Sequence, residues 1–441
     1  MDKYKIAFAC HATLLLAAAL AAPIFAEDWP RWRGPRGDGT WHAPRLPETW
    51  PGGGLKRVWK QTIGGGYAGI VVAGGRVYTM DHEKLPKPDK DEPAAPDGIE
   101  RILCFDAASG KPLWSHRYPT RYGDLDYANG PRAAPTVHEG RVYSLGAVGH
   151  LHCCDAATGQ VIWSKDLVKE FKARIPMWGL AASPLIDGDR VIIHAGGEPD
   201  GCFLAFHRIS GQLIWHNLPD PAGYCTPILI EAPGGRQLVG WTPENVRGID
   251  PVTGKLLWTV PYKVTYGVSI ATPIFHENTI VVTGYWEGTK AIRLGPGPSD
   301  ASLIWEDNHL LRGLMAQPLY RAGHVYSIDK QYGLTCFDLK TGKKLWDDGN
   351  KMTPKGRNPH ASMTWLNDGD RCLILNSAGE LILARLNPSG YHEQSRTKIL
   401  EGDVWGHPAF AGSCIFARTD GAENSSRAGP FELVCVSLTD S

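Results

Sequence analysis

Nine aromatic and basic side chains stand at corresponding places along the sequence, each shortly before an apolar segment. In chain order they are Tyr67, Arg132, Trp178, Tyr224, Tyr266, Arg312, His360, Trp405 and His407. Aromatic rings stack on planar ligands and cations, and a guanidinium can pair with a carboxylate or phosphate through two hydrogen bonds. If the fold brings these positions together, they predict a binding site for a small planar or anionic ligand, or for a peptide.

The same residues allow two other interpretations. His360 or His407 could act as a general base, since imidazole most often fills that role. Alternatively, the rings plug the narrow end of a channel and hydrogen-bond its walls. None of the nine is a carboxylate, and no cysteine–histidine cluster has zinc spacing. We therefore assign no catalytic residue and no metal ligand, and binding and plugging both remain open.

One phrase recurs along the chain and decides the architecture that must position these residues. It reads Asp-x-x-Ser/Thr-Gly followed by a tryptophan, as in "CFDAASGKPLW" ending at Trp114 and "CCDAATGQVIW" ending at Trp163. Aspartate can cap its own turn here, and glycine can take a positive φ. Further copies end at Trp215, Trp258 and Trp346, with a degenerate copy at Trp305 and a copy without tryptophan near Gly390.

A second phrase alternates with the first. "AAPTVHEGRVY", "ASPLIDGDRVI" and "ATPIFHENTIV" are examples, and their prolines from Pro135 to Pro318 lie 43–49 residues apart. Met363 fills the slot before Pro408, and "GIVVAGGRVY" at 69–78 supplies a first copy. Together the phrases define eight units of about 45 residues, each predicting four short antiparallel strands, which is typical of a propeller blade.

The two ends of the repeat region complement each other. "LKRVW" at 55–59 looks like a fourth strand with no first three, and "FELVCVSL" at 431–438 looks like a third strand with no fourth. The prediction is an all-β, eight-bladed β-propeller whose N-terminal strand completes the last blade and closes the ring. The nine residues lead into the innermost strands, so they should converge on the channel mouth. We call that side, which also carries the longer loops, the top face.

Four segments precede or interrupt the blades. Residues 1–26 have a basic head and an apolar run, and we expect a cleaved signal peptide rather than a retained membrane anchor. Residues 27–54 contain "DWPRWRGPRGDGTW", which we expect to be a structural arm whose Trp29, Trp32 and Trp41 pack on the propeller at 55–441. The proline-rich, charged stretch 81–100 is expected to be a mobile top-face insertion.

Charge and cysteine content exclude some classes of function. The 46 basic and 46 acidic residues give a net charge of zero, so nothing directs the chain to nucleic acid. Cys104, Cys153, Cys336 and Cys435 occupy one repeat position in four separate units, so we expect buried thiols there rather than disulfides.

The Asp-Ala-x-Ser/Thr-Gly-x-x-x-Trp repeats resemble those of PQQ-type eight-bladed propellers over about residues 28–441. That superfamily includes quinoprotein alcohol dehydrogenases and the non-enzymatic outer-membrane assembly lipoprotein BamB. The "DWPRWRGPRGDG" opening is similar to that of exported BamB-like proteins of planctomycete-type bacteria. The dehydrogenase resemblance implies PQQ with calcium at the mouth and an aspartate base, whereas the BamB resemblance implies a scaffold.

A fold of this kind hosts many activities, so function has to come from the site. The sequence favours an exported or periplasmic, monomeric propeller that does not catalyse a reaction. It would bind an envelope protein, a peptide or a small planar or anionic ligand at the top-face mouth, with no nucleic acid partner and no membrane span after signal cleavage. A PQQ-dependent alcohol dehydrogenase is the alternative function.

Overall fold

Eight sheets, each with four antiparallel strands, account for the fold, and one of them carries a fifth, short parallel strand from the N-terminal arm. The computed structural model describes residues 27–86, 95–123, 125–313, 315–356, 358–420 and 431–439. The expected signal peptide, 1–26, lies outside these residues. In seven of the eight blades the four strands follow chain order, as expected when each blade is one repeat whose neighbouring strands are joined by short turns. In the last blade the outermost strand comes from the N-terminal part of the chain.

The blades are numbered along the chain from the first complete one. Blade 1 comprises Val71–Ala73, Arg76–Lys84, Gly98–Asp106 and Pro112–Thr120, and blade 2 comprises Thr136–His138, Arg141–Leu145, His150–Asp155 and Val161–Asp166. Blade 3 comprises Leu185–Asp187, Arg190–Gly197, Gly201–His207 and Leu213–Asn217, and blade 4 comprises Ile228–Ala232, Gly235–Trp241, Asn245–Ile249 and Leu256–Pro261.

The second half of the ring repeats this order. Blade 5 comprises Ile274–His276, Thr279–Gly284, Gly288–Leu294 and Ala301–Asp307, and blade 6 comprises Leu319–Arg321, His324–Asp329, Gly333–Asp338 and Lys344–Asp347. Blade 7 comprises Ala361–Leu366, Arg371–Asn376, Glu380–Asn387 and Gly390–Lys398, and blade 8 comprises Ala409–Ala411, Cys414–Arg418, Glu432–Ser437 and Arg57–Thr62. A short helix, Leu167–Phe171, and a 3-10 turn, Thr265–Gly267, complete the described elements besides the short arm strand Thr40–Trp41.

The closure predicted from the chain ends is confirmed. Arg57–Thr62 pairs antiparallel with Glu432–Ser437, so the N-terminal strand is the outermost strand of the last blade. Trp59 on that strand donates from Nε1 to the carbonyl of Ala107 in blade 1, at 2.9 Å. The chain therefore runs from the outermost strand of blade 8 directly into blade 1, and the Trp59 hydrogen bond also joins the two blades. The third strand of blade 8 thus has a partner on its outer edge.

Each repeat tryptophan docks its blade on the turn of the next blade. The indole Nε1 of Trp114 donates to Ala156 at 3.1 Å, and that of Trp163 donates to Arg208 at 3.1 Å. The turn glycine lies against the same ring: a Cβ on Gly159 would lie 2.5 Å from Trp114. Trp258 is an exception, since it bonds Gln237 of its own blade, and blade 5 lacks the aspartate turn that would have received it.

The residues before the repeat prolines form a series of hydrogen bonds between neighbouring inner strands, here called the belt. The residue before the proline offers a side-chain oxygen to the corresponding backbone N–H of the preceding blade. Ser183 accepts from Ala134 at 3.0 Å, Thr226 from Ser183 at 2.9 Å, and Gln317 from Thr272 at 2.7 Å. The belt satisfies backbone donors beside the channel, where inter-strand pairing ends.

The stretch 81–100 and the cysteines were the subject of two further predictions. Residues 81–84 and 98–100, at the ends of the expected mobile insertion, extend the second and third strands of blade 1 instead, while 87–94 lie outside the described residues. The nine described cysteines are all free, and all but Cys414 are buried. None of the helices in the described part of the chain has the length and apolarity needed to cross a membrane.

The N-terminal arm lies under the ring rather than along its side. Trp29 bridges to Val72 of blade 1, the carbonyl of Pro30 accepts from Val137 of blade 2, and Thr40–Trp41 adds a parallel strand to the innermost strand of blade 7. Trp41 stacks on Phe410 of blade 8, with ring centroids 4.8 Å apart. The arm therefore contacts the inner strands of several blades on the face opposite the top face.

Candidate functional site

Four of the predicted site residues form a connected group at the top-face mouth. The Arg132 guanidinium lies 5.5 Å from the ring centroid of Tyr67, and the Tyr67 ring lies 6.2 Å from that of Trp405. His360 stacks on the other side of Trp405 at 5.8 Å. Each residue enters from a loop that leads into an innermost strand, which is why side chains far apart in sequence meet here.

Trp178 and Tyr224 continue this group on the side of blades 3 and 4. Their ring centroids lie 5.4 Å apart, and the Tyr224 hydroxyl accepts from the Trp178 backbone N–H at 3.4 Å. Burial raises the pKa of Tyr67 and of Tyr224 to about 12, so both phenols are neutral at neutral pH. Two residues that sequence reasoning missed, Tyr127 and Met177, lie beside the group and expose 39% and 52% of their surface.

Tyr266 and Arg312 stand apart from this group. No hydrogen bond, ion pair or ring contact within the described ranges joins either of them to the other seven predicted residues. Tyr266 is 66% exposed in the 3-10 turn before blade 5, and Arg312 donates from Nη2 to Gln331 at 2.9 Å. The mouth is thus lined unevenly: the aromatic cluster occupies the sides of blades 7, 8 and 1–4, with Tyr266 and Arg312 separate from it.

His407 lies deeper in the channel, and the arm reaches it from below. The Trp32 ring of the arm is 4.5 Å from the His407 ring, while its Nε1 donates to Thr272 Oγ1 of blade 5 at 3.0 Å. Blades 5 and 8 are three positions apart in the ring of eight, so Trp32 reaches across the channel. His407 thus lines the part of the channel that the arm fills. Plugging by the mouth residues was one of the two interpretations that the sequence left open.

Both histidines are poorly suited to be general bases. Burial lowers the pKa of His360 to about 4, and burial, His360 and Arg33 lower the pKa of His407 well below its usual value. A base is most effective when its pKa is close to the working pH. The geometry therefore favours structural imidazoles in the channel wall.

His360 should make stability depend on pH. Its folded-state pKa is about 4, below the unfolded value near 6.5, so its contribution is present above pH 6.5 and lost as pH falls towards 4. Between pH 7 and pH 5 we expect a loss of about 2 kcal/mol from this residue. His360→Phe should reduce the pH dependence of urea unfolding by that amount. His309→Phe, at an exposed position, should not; equal curves for both variants would contradict this assignment.

Buried carboxylates lie near the mouth although none of the predicted residues is acidic. Asp420 follows the second strand of blade 8 and accepts from the backbone N–H groups of Trp405 and Gly406. Burial raises its pKa to about 7, against the opposing effect of Arg418 and these N–H groups. Glu100 accepts from the hydroxyls of Tyr118 and Tyr122. The residues before the innermost strands do not include Asp420 and Glu100, so the sequence could not point to them. Asp420 follows a second strand, and Glu100 lies in a third strand.

Other carboxylates near the top face hold the loops in place by accepting hydrogen bonds from backbone N–H groups. Asp329 accepts from the backbone N–H groups of Arg312, Gln331 and Tyr332, and Asp348 does the same for Leu334, Asn350 and Met352. The top-loop acids pair within their own surroundings, such as Glu198 with Arg174 and Glu244 with Lys263. Across the described ranges, no three His, Cys, Asp or Glu residues are grouped so that they could hold a metal ion.

The donors at the mouth therefore do not fit a calcium-bound quinone. Calcium takes six to eight oxygen ligands, usually with several carboxylates among them. Two carboxylates near the mouth, Glu100 and Asp420, are already hydrogen-bonded to hydroxyl and backbone donors, and rings and a guanidinium line much of the mouth. Such surfaces are suited to stacking and to anion pairing.

The repeat geometry is matched by a known family. The family model for outer membrane protein assembly factor BamB matches residues 98–348 and 244–423. The chain belongs to the BamB family. A BamB from Shewanella oneidensis is 22% identical over 245 residues, which cover 51% of this chain and 60% of that protein. The quinohemoprotein alcohol dehydrogenase ADH IIB of Pseudomonas putida is 30% identical over 198 residues, covering 42% of this chain and 27% of the enzyme.

Solved structures of a BamB protein and of a quinohemoprotein alcohol dehydrogenase both share the fold of this chain. The quinohemoprotein alcohol dehydrogenase of Comamonas testosteroni superposes with a TM-score of 0.67 at 12% identity, covering 94% of this chain and 81% of the enzyme. BamB of Moraxella catarrhalis superposes with a TM-score of 0.57 at 16% identity, covering 87% and 99%. The chain spans less than two thirds of the length of the curated relatives described above. The shared fold is compatible with a scaffold and with an enzyme.

Proposed function

We propose that this protein is a non-catalytic binding module of the cell envelope that holds a partner protein or peptide at the top-face mouth. The observation that carries the proposal is the aromatic cluster of Tyr67, Trp178, Tyr224 and Trp405, bordered by Arg132. Exposed Tyr127 and Met177 extend it towards solvent. Aromatic residues, methionine and arginine are enriched at protein interfaces.

The family membership supports a protein partner and an exported location. The related BamB proteins are outer membrane protein assembly factors by name. The alternative function, a PQQ-dependent alcohol dehydrogenase, is supported by the local similarity to ADH IIB. The hydrogen bonds that already occupy Glu100, Asp329 and Asp420 argue against that alternative.

A thermal-shift titration with PQQ, with and without calcium, separates the two functions. For a binding module we expect the melting temperature to stay unchanged at saturating PQQ, with or without calcium. A saturable, calcium-dependent rise would overturn the proposal, since a ligand that binds only the folded state raises its stability. Alcohol oxidation assays would then follow.

Partner binding at the mouth is tested with two single variants. Tyr127→Ala and Trp405→Ala should each weaken binding of an envelope protein at least tenfold, because central aromatic residues contribute most to interface affinity. The partner is first captured from envelope extracts, then purified and measured by calorimetry. Leu303→Ala is the matched control, since Leu303 is 43% exposed on the outer strand of blade 5. If all three variants bind like the wild type, the mouth is not the binding surface.

A further inference from the structure

A cavity of about 740 Å³ opens on the face opposite the mouth. One wall is the arm, with Arg31, Trp32 and Arg36, and the other walls are the innermost strands of blades 3, 4, 5 and 6. Ligand pockets for small molecules have about 300–1,000 Å³. The cavity exists only because the arm crosses the channel here, so it is separate from the mouth and from the function proposed above.

The strand walls are largely apolar. Leu185, Ile228 and Ile274 face the cavity together with the adjoining prolines of the repeat phrase, Pro184, Pro227 and Pro273. The Trp32 ring closes the channel side of the cavity. An organic ligand would therefore bury an apolar body against these walls.

The lining carries more basic than acidic side chains, and most of the arginines already have partners. Arg36 pairs with Glu27 at 2.6 Å, Arg236 pairs with Asp187, and Arg321 donates to the Asn367 carbonyl at 3.0 Å. Arg33 is buried and donates to the carbonyls of Asp38 and Pro318 at 3.1 and 2.7 Å. These four groups hold the arm and the strands in place.

Arg31 differs from the other arginines of the cavity. Its Nε donates to the Pro35 carbonyl at 3.2 Å. Asp38 of the same cavity acts on it electrostatically, but within the described ranges no carboxylate lies within 4 Å of it and its two terminal nitrogens make no hydrogen bond. Gly37 lies beside the terminal nitrogens of Arg31, since a Cβ on Gly37 would be 3.0 Å from Arg31 Nη2. A planar guanidinium with two free nitrogens is suited to a carboxylate, which accepts both bonds in parallel.

We infer that this cavity binds a small organic carboxylate, with the carboxylate on Arg31 and the apolar body against Leu185, Ile228 and Ile274. Aromatic or branched aliphatic acids match this chemistry. The site is on the arm side of the propeller, so the ligand would also join the arm to blades 3–5 and raise the melting temperature of the protein.

Calorimetric titration with 2-naphthoate, and with neutral 2-naphthamide as its matched analogue, tests the inference on the purified protein. We expect saturable binding of the acid and at least tenfold weaker binding of the amide. Arg31→Gln should weaken acid binding at least tenfold, and Arg31→Lys should weaken it less. Arg174→Gln, which removes an exposed arginine of the top face, should bind like the wild type.

Three results would overturn the inference: no saturable binding of naphthoate, equal affinity for acid and amide in the wild type, or unchanged affinity in Arg31→Gln. Melting curves of each variant report whether it is folded. If Arg31→Gln does not fold, the acid–amide comparison in the wild type and the Arg31→Lys titration still decide the question. None of these outcomes depends on partner binding at the mouth.

Discussion

Replacing Trp41 by alanine will lower the free energy of unfolding by about 3–5 kcal/mol, the usual cost of removing a large buried aromatic side chain. Trp41 is fully buried, stacks on Phe410 at 4.8 Å, and donates from Nε1 to the Glu27 carbonyl at 3.2 Å. Its strand also pairs with Leu366 of blade 7. The substitution therefore removes a contact that joins the arm to two blades, and urea unfolding measures the loss.

The control for this prediction is a tryptophan with the opposite environment. Trp286 is 43% exposed and contacts Tyr285 and the Lys330 ammonium, which lies 3.6 Å from its ring. Trp286→Ala should cost no more than about 1 kcal/mol, the range of an exposed cation–π contact. If Trp41→Ala also costs no more than about 1 kcal/mol, the arm is not part of the cooperative fold. Deleting residues 27–41 would then also leave the melting temperature unchanged.

Replacing Gly254 by alanine will destabilise the fold by about 2–5 kcal/mol. The turn glycine has φ +74°, where a side chain costs about 1–2 kcal/mol. A Cβ there would also lie 2.7 Å from the Trp215 ring, and such overpacking costs about 1–3 kcal/mol more. The clash would push apart blades 3 and 4, since Trp215 donates to the Pro251 carbonyl of the same turn at 3.2 Å.

A variant at Gly188 separates the backbone strain from the clash with the tryptophan ring. It has φ +55°, and a Cβ on it would meet no atom within 4 Å. Gly188→Ala should therefore cost only the backbone strain of about 1–2 kcal/mol. The difference between the two variants in urea unfolding measures the blade–blade contact. A difference near zero would show that the glycine serves the turn and not the docking of the tryptophan.

The arm and the repeat therefore stabilise the ring in different ways. Most of the tryptophan–turn contacts join a blade to the next one, so they act between neighbouring units of the repeat. The arm joins blades that are distant in sequence, through Trp29 to blade 1, Trp32 to blade 5 and Trp41 to blades 7 and 8. The variants of Trp41 and Gly254 address these two kinds of contact separately.

Much of the architecture follows from the sequence because its signals are local and repeated. The Asp-x-x-Ser/Thr-Gly turn, the tryptophan after it and the strands around it lie within about a dozen residues of one another. Eight repetitions leave little freedom in how they stack. The incomplete first and last units also predict the closure between Arg57–Thr62 and Glu432–Ser437. Six of the nine mouth residues lie in one continuous cluster for the same reason, since each repeat places its entry residue at the channel.

Other features depended on contacts between residues far apart in the chain, which no repeat encodes. Tyr266 and Arg312 hold equivalent repeat positions, but in the described part of the chain no hydrogen bond, ion pair or ring contact joins them to the mouth cluster, because their own loops turn them elsewhere. The sequence indicated that the arm tryptophans pack, but only the tertiary structure placed Trp32 across the channel between His407 and Thr272, 240 residues away from Trp32. The cavity beside Arg31 follows from that crossing. Short-range chemistry thus determines the blades, and the path of a non-repeating segment determines which surfaces remain open for binding.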